Sequence, residues 1–136
     1  GALGRKLTTR VSDLMYSGIN NPIVHTGVNL KEAICIMNKT GLGAINIVDE
    51  ENKLCGIITD GDLKRYLENE VNIYSVSVDD VMTKKPITIS ESALAYEALR
   101  VMEKREKQLS VLPVVSKDGS SLGMLRLHDV ISLGII

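Results

Sequence analysis

Thr59, Asp60 and Asp62 stand together in the stretch GIITDGDLKR, residues 56 to 65, where an apolar run hands over to a helix-forming segment. Residues of these types at a strand-to-helix junction can do two kinds of chemistry. A carboxylate in the first turn of a helix can accept hydrogen bonds from both hydroxyls of a sugar ring, and charge-assisted bonds are about twice as strong as neutral ones. The N–H groups of the same turn, with the helix dipole, favour a phosphate nearby. Thr59 adds a short hydroxyl, and Gly61 leaves the backbone accessible. The competing use is structural: Thr followed three residues later by Asp also fits an N-terminal cap, a device worth ~0.5–2 kcal/mol. The two uses are compatible, with Thr59 capping while Asp62 faces a ligand. Asp60 reads as solvated surface, and Lys64 and Arg65 as a solvated or subunit-facing edge, with a phosphate contact as the alternative.

A second constellation, Arg126, His128 and Asp129, ends the chain's last apolar run. A guanidinium there suits a phosphate or a sugar carboxylate, although an exposed strand-end Arg is the plain alternative. The segment Ile23 to His25, which includes Val24, and the pair Gly43–Ala44 offer small or extended residues against which a flat base can lie. His25 is equally readable as an ordinary strand residue. The two His and two Cys show no metal-ligand spacing. No nucleophile–base set and no Gly-rich phosphate loop of the Walker type is present, so no residue is assigned a catalytic role.

These residues are positioned by a pattern written twice. VSDLM (residues 11–15) matches VDDVM (78–82) at an offset of 67, and NPIVHT (21–26) matches KPITIS (85–90) at 64. Leu30, Ala33, Ile34 and Met37 match Ala95, Ala98, Leu99 and Met102, each set spaced i, i+3, i+4, i+7 on one helix face. The stretch from Asn46 to Asp62 then matches Pro113 to Asp129 without a gap. A period this long indicates a duplicated module rather than a solenoid.

Punctuation and periodicity predict the elements of each copy. Short strands follow the prolines, at Ile23 to His25 and Ile87 to Ile89. Amphipathic helices run from about Asn29 to Lys39 and from about Ala93 to Arg105. Hairpins pair Ala44–Val48 with Leu54–Thr59, and Val111–Val115 with Leu122–Leu127, across the polar turns DEEN and SKDGSS. A closing helix follows, with Leu63, Tyr66 and Leu67 as its apolar face in the first copy. The expected fold is mixed α/β (α+β): two pseudo-symmetric β-α-β-β-α units. Units of ~60 residues bury little surface alone, so the two should pack together and leave a cleft between them.

Composition narrows the function. With 16 basic and 17 acidic residues the formal charge is −1, giving no electrostatic reason to expect nucleic acid or an anionic membrane surface. All four aromatic residues are Tyr, too few for a base-stacking platform. No apolar run approaches the ~18 residues of a membrane span. Cys35 and Cys55 fit neither a CxxC motif nor a disulfide framework and are expected as buried free thiols in a reducing cytoplasm. The five Met residues are expected in the core.

The duplicated pattern, with its PxxxT/S lead-in and GhhTxxD exit, resembles a tandem pair of cystathionine-β-synthase (CBS) domains, a Bateman module, over almost the whole chain. GALGRKL at the start, the RVSDLM that follows and GIITDGDLKR more narrowly resemble the C-terminal regulatory half of the KpsF/GutQ family of arabinose 5-phosphate isomerases. The resemblance implies residues 1–10 as a linker from a sugar isomerase (SIS) domain absent here, 11–70 as the first CBS repeat and 71–136 as the second. It further implies a non-enzymatic, cytoplasmic regulatory fragment whose parent is an aldose–ketose isomerase of Kdo and lipopolysaccharide biosynthesis. Its partners would be the SIS domain, a nucleotide in the inter-repeat cleft and a second copy in a homodimer. The ligand expected first is CMP-Kdo, with AMP or ATP second. Carried onto this chain, the motif's Thr and Asp are Thr59 and Asp62. The second copy keeps Asp129 but has Arg126 in place of Thr and His128 where the first has Gly61, so two equivalent sites are not expected. Asn46 likewise stands where the second copy has Pro113. A non-binding assembly module is the alternative of a different class.

Overall fold

The computed structural model describes residues 2–69 and 72–135. The expected boundary between residues 70 and 71, Gly1 of the linker and the final Ile136 lie outside the described residues. In chain order the elements are α1 (Ala2–Leu7), α2 (Val11–Leu14), β1 (Tyr16–Ser17), β2 (Ile23–His25), α3 (Leu30–Thr40), β3 (Ala44–Val48), β4 (Leu54–Thr59) and α4 (Asp60–Leu67). There follow β5 (Thr83–Lys84), β6 (Ile89–Ser90), α5 (Ala95–Glu103), β7 (Val111–Val115), β8 (Ser121–Arg126) and α6 (Leu127–Ile131).

Local chemistry accounts for most boundaries. Asn29 caps α3, its Oδ1 accepting the Glu32 N–H at 2.9 Å, and Gly41 ends that helix in the left-handed region at φ 70°. The periodic stripe is buried in α5 at Ala95, Ala98, Leu99 and Met102, and in α3 at Leu30, Ala33 and Met37, with Ile34 half-buried against that core. In the first hairpin turn Asp49 Oδ1 accepts the N–H groups of Glu51 and Lys53, both at 2.9 Å, a local Asx bond that reverses the chain. β3 is buried along its whole length because it lies inside its sheet with another layer on each face.

Each half is a four-stranded sheet, ordered β2-β3-β4-β5 and β6-β7-β8-β1. β2 and β6 run parallel to β3 and β7, with α3 and α5 as crossovers, and the other pairings are antiparallel. The two sheets exchange their lead-in segments. β1 is sequence of the first copy but pairs with β8, Ser17 opposite Gly123; β5 belongs to the second copy but pairs with β4, Lys84 opposite Gly56. Val11 is fully buried among Ala95, Ala98, Leu99 and Leu125, whereas Val78 is buried among Leu30, Ile45 and Ile58. The backbone repeats the exchange: Ala95 N–H donates to Thr9 O and Leu30 N–H to Val76 O, both at 2.7 Å. Two glycines in matching positions make it possible. A Cβ on Gly56 would stand 2.8 Å from Thr83 O, and one on Gly123 would stand 2.5 Å from Tyr16 O.

Two further seams join the halves. Asn46, fully buried, donates to Asn21 Oδ1 at 2.9 Å and to Gly123 O at 3.2 Å, and Asn21 donates to Ser121 Oγ at 3.1 Å. The hairpin tips meet where Leu54 N–H donates to Gly119 O, Ser121 N–H to Asn52 O, and Lys53 pairs with Asp118 at 2.7 Å.

Three expectations are corrected. Cys35 is exposed and Cys55 only half-buried, because position 35 lies off the Leu30–Ala33–Met37 stripe. Leu67, the last residue of α4, is 42% exposed, while Leu63 and Tyr66 pack on the core. The strand expected from Ile87 is displaced toward β6 at Ile89–Ser90, which leaves Ile87 free to line a cavity.

Candidate functional site

A cavity of about 460 Å³ opens between the two halves at the C-terminal end of β4. Thr59, Asp60, Gly61, Asp62 and Arg65 form one wall, and Leu42, Gly43 and Ile57 continue it. Thr83, paired beside Ile57 on β5, extends this wall, Pro86 and Ile87 follow from the exchanged lead-in, and residues 107–111 and Pro113 come from the other half. The volume lies within the ~300–1,000 Å³ of small-molecule sites.

The helix start is held by the cap anticipated from its sequence. Thr59 Oγ1 accepts the Asp62 N–H at 3.2 Å, and Asp62 Oδ2 accepts the Thr59 N–H at 3.0 Å. Asp60 N–H donates to Gly43 O at 2.9 Å, and Gly43 has φ 71° with no room for a Cβ, which would sit 2.8 Å from Asp60 Oδ2. The cap does not turn Asp62 away from the cavity. Its side chain is 18% exposed, and Oδ1 accepts the Arg65 guanidinium at 2.6 Å. Two oxygens offer about four acceptor positions, and two bonds are made within the protein. The wall therefore presents carboxylate oxygens, and Arg65 and Lys107 supply cationic side chains on the same cavity. Ile57, Val111, Pro113, Ile87 and Leu109 supply an apolar surface with no aromatic ring among them.

A second cavity of about 350 Å³ is lined by Leu42, Ser110, Val111, Arg126, Leu127, His128 and Ile131. It shares Leu42, Ser110 and Val111 with the first, as expected of two sites related by the repeat. Here the matching carboxylate is more fully engaged within the protein, by three bonds against two on Asp62 among the described residues. Asp129 Oδ2 accepts the Tyr16 hydroxyl at 2.9 Å and Arg126 Nε at 3.1 Å, while Oδ1 accepts Arg126 Nη2 at 2.9 Å. The Arg126 guanidinium lies over the Tyr16 ring, 5.7 Å from its centroid, a cation–π distance. The Arg126 hydrogen bonds hold the Asp129 carboxyl below the usual carboxylate range, and the bond to Asp129 pushes the Tyr16 phenol up.

The residues singled out from sequence thus separate. Thr59, Asp62 and Gly43 line the first cavity, and Arg126 and His128 the second. Asp129 lies behind Arg126. Val24 and His25 line neither cavity: Val24 is buried in the core of the first sheet, and His25 is exposed at the end of β2. The lead-in exchange is the reason: Thr83, paired beside Ile57, and Pro86 and Ile87 after it stand at the cavity instead. Ala44 is fully buried beneath the shared wall with Leu42, Ile57 and Val111. Asp60, expected as solvated surface, is a cavity residue, and so is Arg65, for which the sequence left a phosphate contact open beside a solvated or subunit-facing edge. The i, i+3 spacing of Asp62 and Arg65 was the available signal for the second.

The CBS domain family matches residues 11–69 and 78–135. The arabinose 5-phosphate isomerase KdsD of Pseudomonas aeruginosa is 40% identical over 136 residues, all of this chain and 41% of that protein. KdsD of Escherichia coli K12 is 37% identical over 137 residues, all of this chain and 40% of that protein. The chain therefore spans about two-fifths of the length of the curated relatives it matches. Among solved structures, the CBS domain pair of protein MJ0100 in complex with 5′-methylthioadenosine and S-adenosyl-L-methionine aligns with a TM-score of 0.81 at 27% identity, covering 93% of this chain and 96% of that one. CBSX2 in complex with AMP aligns with a TM-score of 0.76 at 23% identity, covering 93% and 96%, and shares the fold. By its duplicated sequence, its paired sheets and these matches, the chain belongs to the CBS-domain family, as a tandem pair similar over its whole length to part of the KdsD isomerases.

Proposed function

We propose that this chain is the nucleotide-sensing regulatory portion of an arabinose 5-phosphate isomerase-like enzyme, with the ligand held in the cavity between the halves. The observation that carries this reading is the first cavity's wall: a capped helix start that still presents Asp62 to the cavity, beside an apolar surface and two cationic side chains. Asp62 accepts the ribose hydroxyls, Thr59 and the first turn of α4 face the phosphate side, and the base lies on Ile57, Val111 and Pro113. The adenosine derivatives in complex with the MJ0100 pair support a nucleoside-containing ligand. The finer reading is CMP-Kdo, whose sugar carboxylate would meet Lys107. Arg126, expected in that role from sequence, is already paired with Asp129. The fragment itself performs no chemistry in this reading. It acts in the cytoplasm on an attached SIS domain and associates with a second copy.

A thermal-shift panel of CMP-Kdo, CMP, AMP, ATP and S-adenosylmethionine tests it. A ligand at 100 times its dissociation constant stabilises the fold by about 2.7 kcal/mol, so at least one nucleotide should raise the melting temperature by several degrees. A panel that moves nothing favours a pure assembly module, and isomerase turnover by this chain alone would refute the regulatory assignment.

A further inference from the structure

The repeat offset of 67 that carries Thr59 onto Arg126 and Asp62 onto Asp129 also carries Tyr16 onto Thr83. Thr83 is a small exposed residue that lines the first cavity, so the space in front of the Thr59–Asp62 wall is open. In the other half the matching space holds a phenol ring. Tyr16 is half-buried against Leu42, Val111 and Met124, its hydroxyl donates to Asp129 at 2.9 Å, and Arg126 covers its face. A phenol hydroxyl bonded to the carboxylate reproduces the donor a sugar hydroxyl would bring. Asp129 takes three hydrogen bonds from Tyr16 and Arg126, against two on Asp62. What remains of the second cavity has no carboxylate among the described residues of its wall.

We propose that Tyr16, tied to Asp129 and covered by Arg126, is a built-in occupant of the second half's sugar pocket, so that the module takes nucleotide beside Asp62 and excludes it beside Asp129. The choice of nucleotide as probe rests on the reading of the first cavity given above. The asymmetry lies in two side chains: at both positions the first cavity has Thr, at 83 and 59, where the second has Tyr16 and Arg126.

The test is isothermal titration of this chain and of its Tyr16→Thr/Arg126→Thr variant with AMP and with CMP, with circular dichroism to verify folding. The variant should take one equivalent more than the unaltered chain, and equal stoichiometry in the two overturns the proposal. A null titration of the unaltered chain refutes the nucleotide reading of the first cavity. It leaves the comparison decisive, because a variant that then binds one equivalent still identifies Tyr16 as the occupant. Should the double variant fail to fold, the ring resonances of Tyr16 in the unaltered chain decide. They should stay fixed while nucleotide is raised past saturation, and displacement of the ring overturns the proposal.

Discussion

Replacing Asp62 by Asn and, separately, by Ala divides its two duties. In the Asn variant the side-chain oxygen still accepts the Thr59 N–H, so the cap survives. What is lost is the pair with Arg65, whose side chain is 58% exposed, and such pairs contribute at most about 0.5–1 kcal/mol. The Ala variant also loses the reciprocal cap, which typically contributes ~1 kcal/mol. Its stability should fall by about 1–2 kcal/mol, a drop of several degrees in melting temperature for a chain of this size. Binding should respond in a different proportion. Hydrogen bonds to a charged acceptor are worth ~1.5–3 kcal/mol and neutral ones ~0.5–1.5, so the Asn variant loses roughly 1–1.5 kcal/mol of its hold on a ribose. At about 1.4 kcal/mol per tenfold, affinity should weaken roughly tenfold while stability changes by less than about 1 kcal/mol. Urea denaturation and titration calorimetry on the same preparations measure both. Affinity within a factor of two of the parent in both variants, with the expected loss of stability for Ala, would show that Asp62 is only a cap.

The lead-in exchange makes Gly56→Ala and Gly123→Ala costly, because each new methyl would meet backbone oxygen of the crossing strand at 2.8 or 2.5 Å. Each should destabilise by about 1–3 kcal/mol or more, measured by urea melts, and near-neutral substitutions would contradict the crossing. The Tyr16–Asp129–Arg126 cluster should stabilise the fold over a bounded pH range. Asp129 is held below its unfolded value of ~3.9, so its contribution is present above that pH and is lost as pH falls through the folded value. Tyr16 is raised above ~10, so its contribution is present below that pH and is lost as pH rises through the folded value. An Asp129→Asn variant should flatten both limbs of the stability–pH curve, and an unchanged curve would refute the cluster. Finally, exposed Cys35 should react with a thiol reagent before Cys55, whose thiol is raised by burial; mass mapping of the first label checks the order.

The elements were legible where a periodic signal had local punctuation. β3, β4 and β7 keep the limits read from their apolar runs and polar turns, and α3 starts after the Asn29 cap. The pairing of β1 with β8 and of β5 with β4 was not legible. Tyr16–Ser17 and Thr83–Lys84 are too short to carry a period, and their partners lie far along the chain, so nothing local says which sheet they join. That gap explains the reading of the site. The Thr59–Asp62 junction could be singled out because cap chemistry and ligand chemistry use the same residues at the same spacing. The rest of the lining could not, because Thr83, Pro86 and Ile87 reach the cavity only through the exchange. Val24 and His25 were assigned in their place as neighbours in the same copy. Arg126 was read as available for a ligand because sequence displays a charge but not the partner that has taken it up.

The most direct measurement is a titration of the isotope-labelled chain with AMP and with CMP-Kdo, following backbone amide resonances by two-dimensional NMR. Binding between the halves requires the largest shifts at Gly43, Thr59, Gly61, Asp62 and Thr83 together with Val111 across the cavity. Saturating ligand that leaves these amides unmoved, or that shifts only residues remote from the cavity, would contradict a nucleotide held beside Asp62.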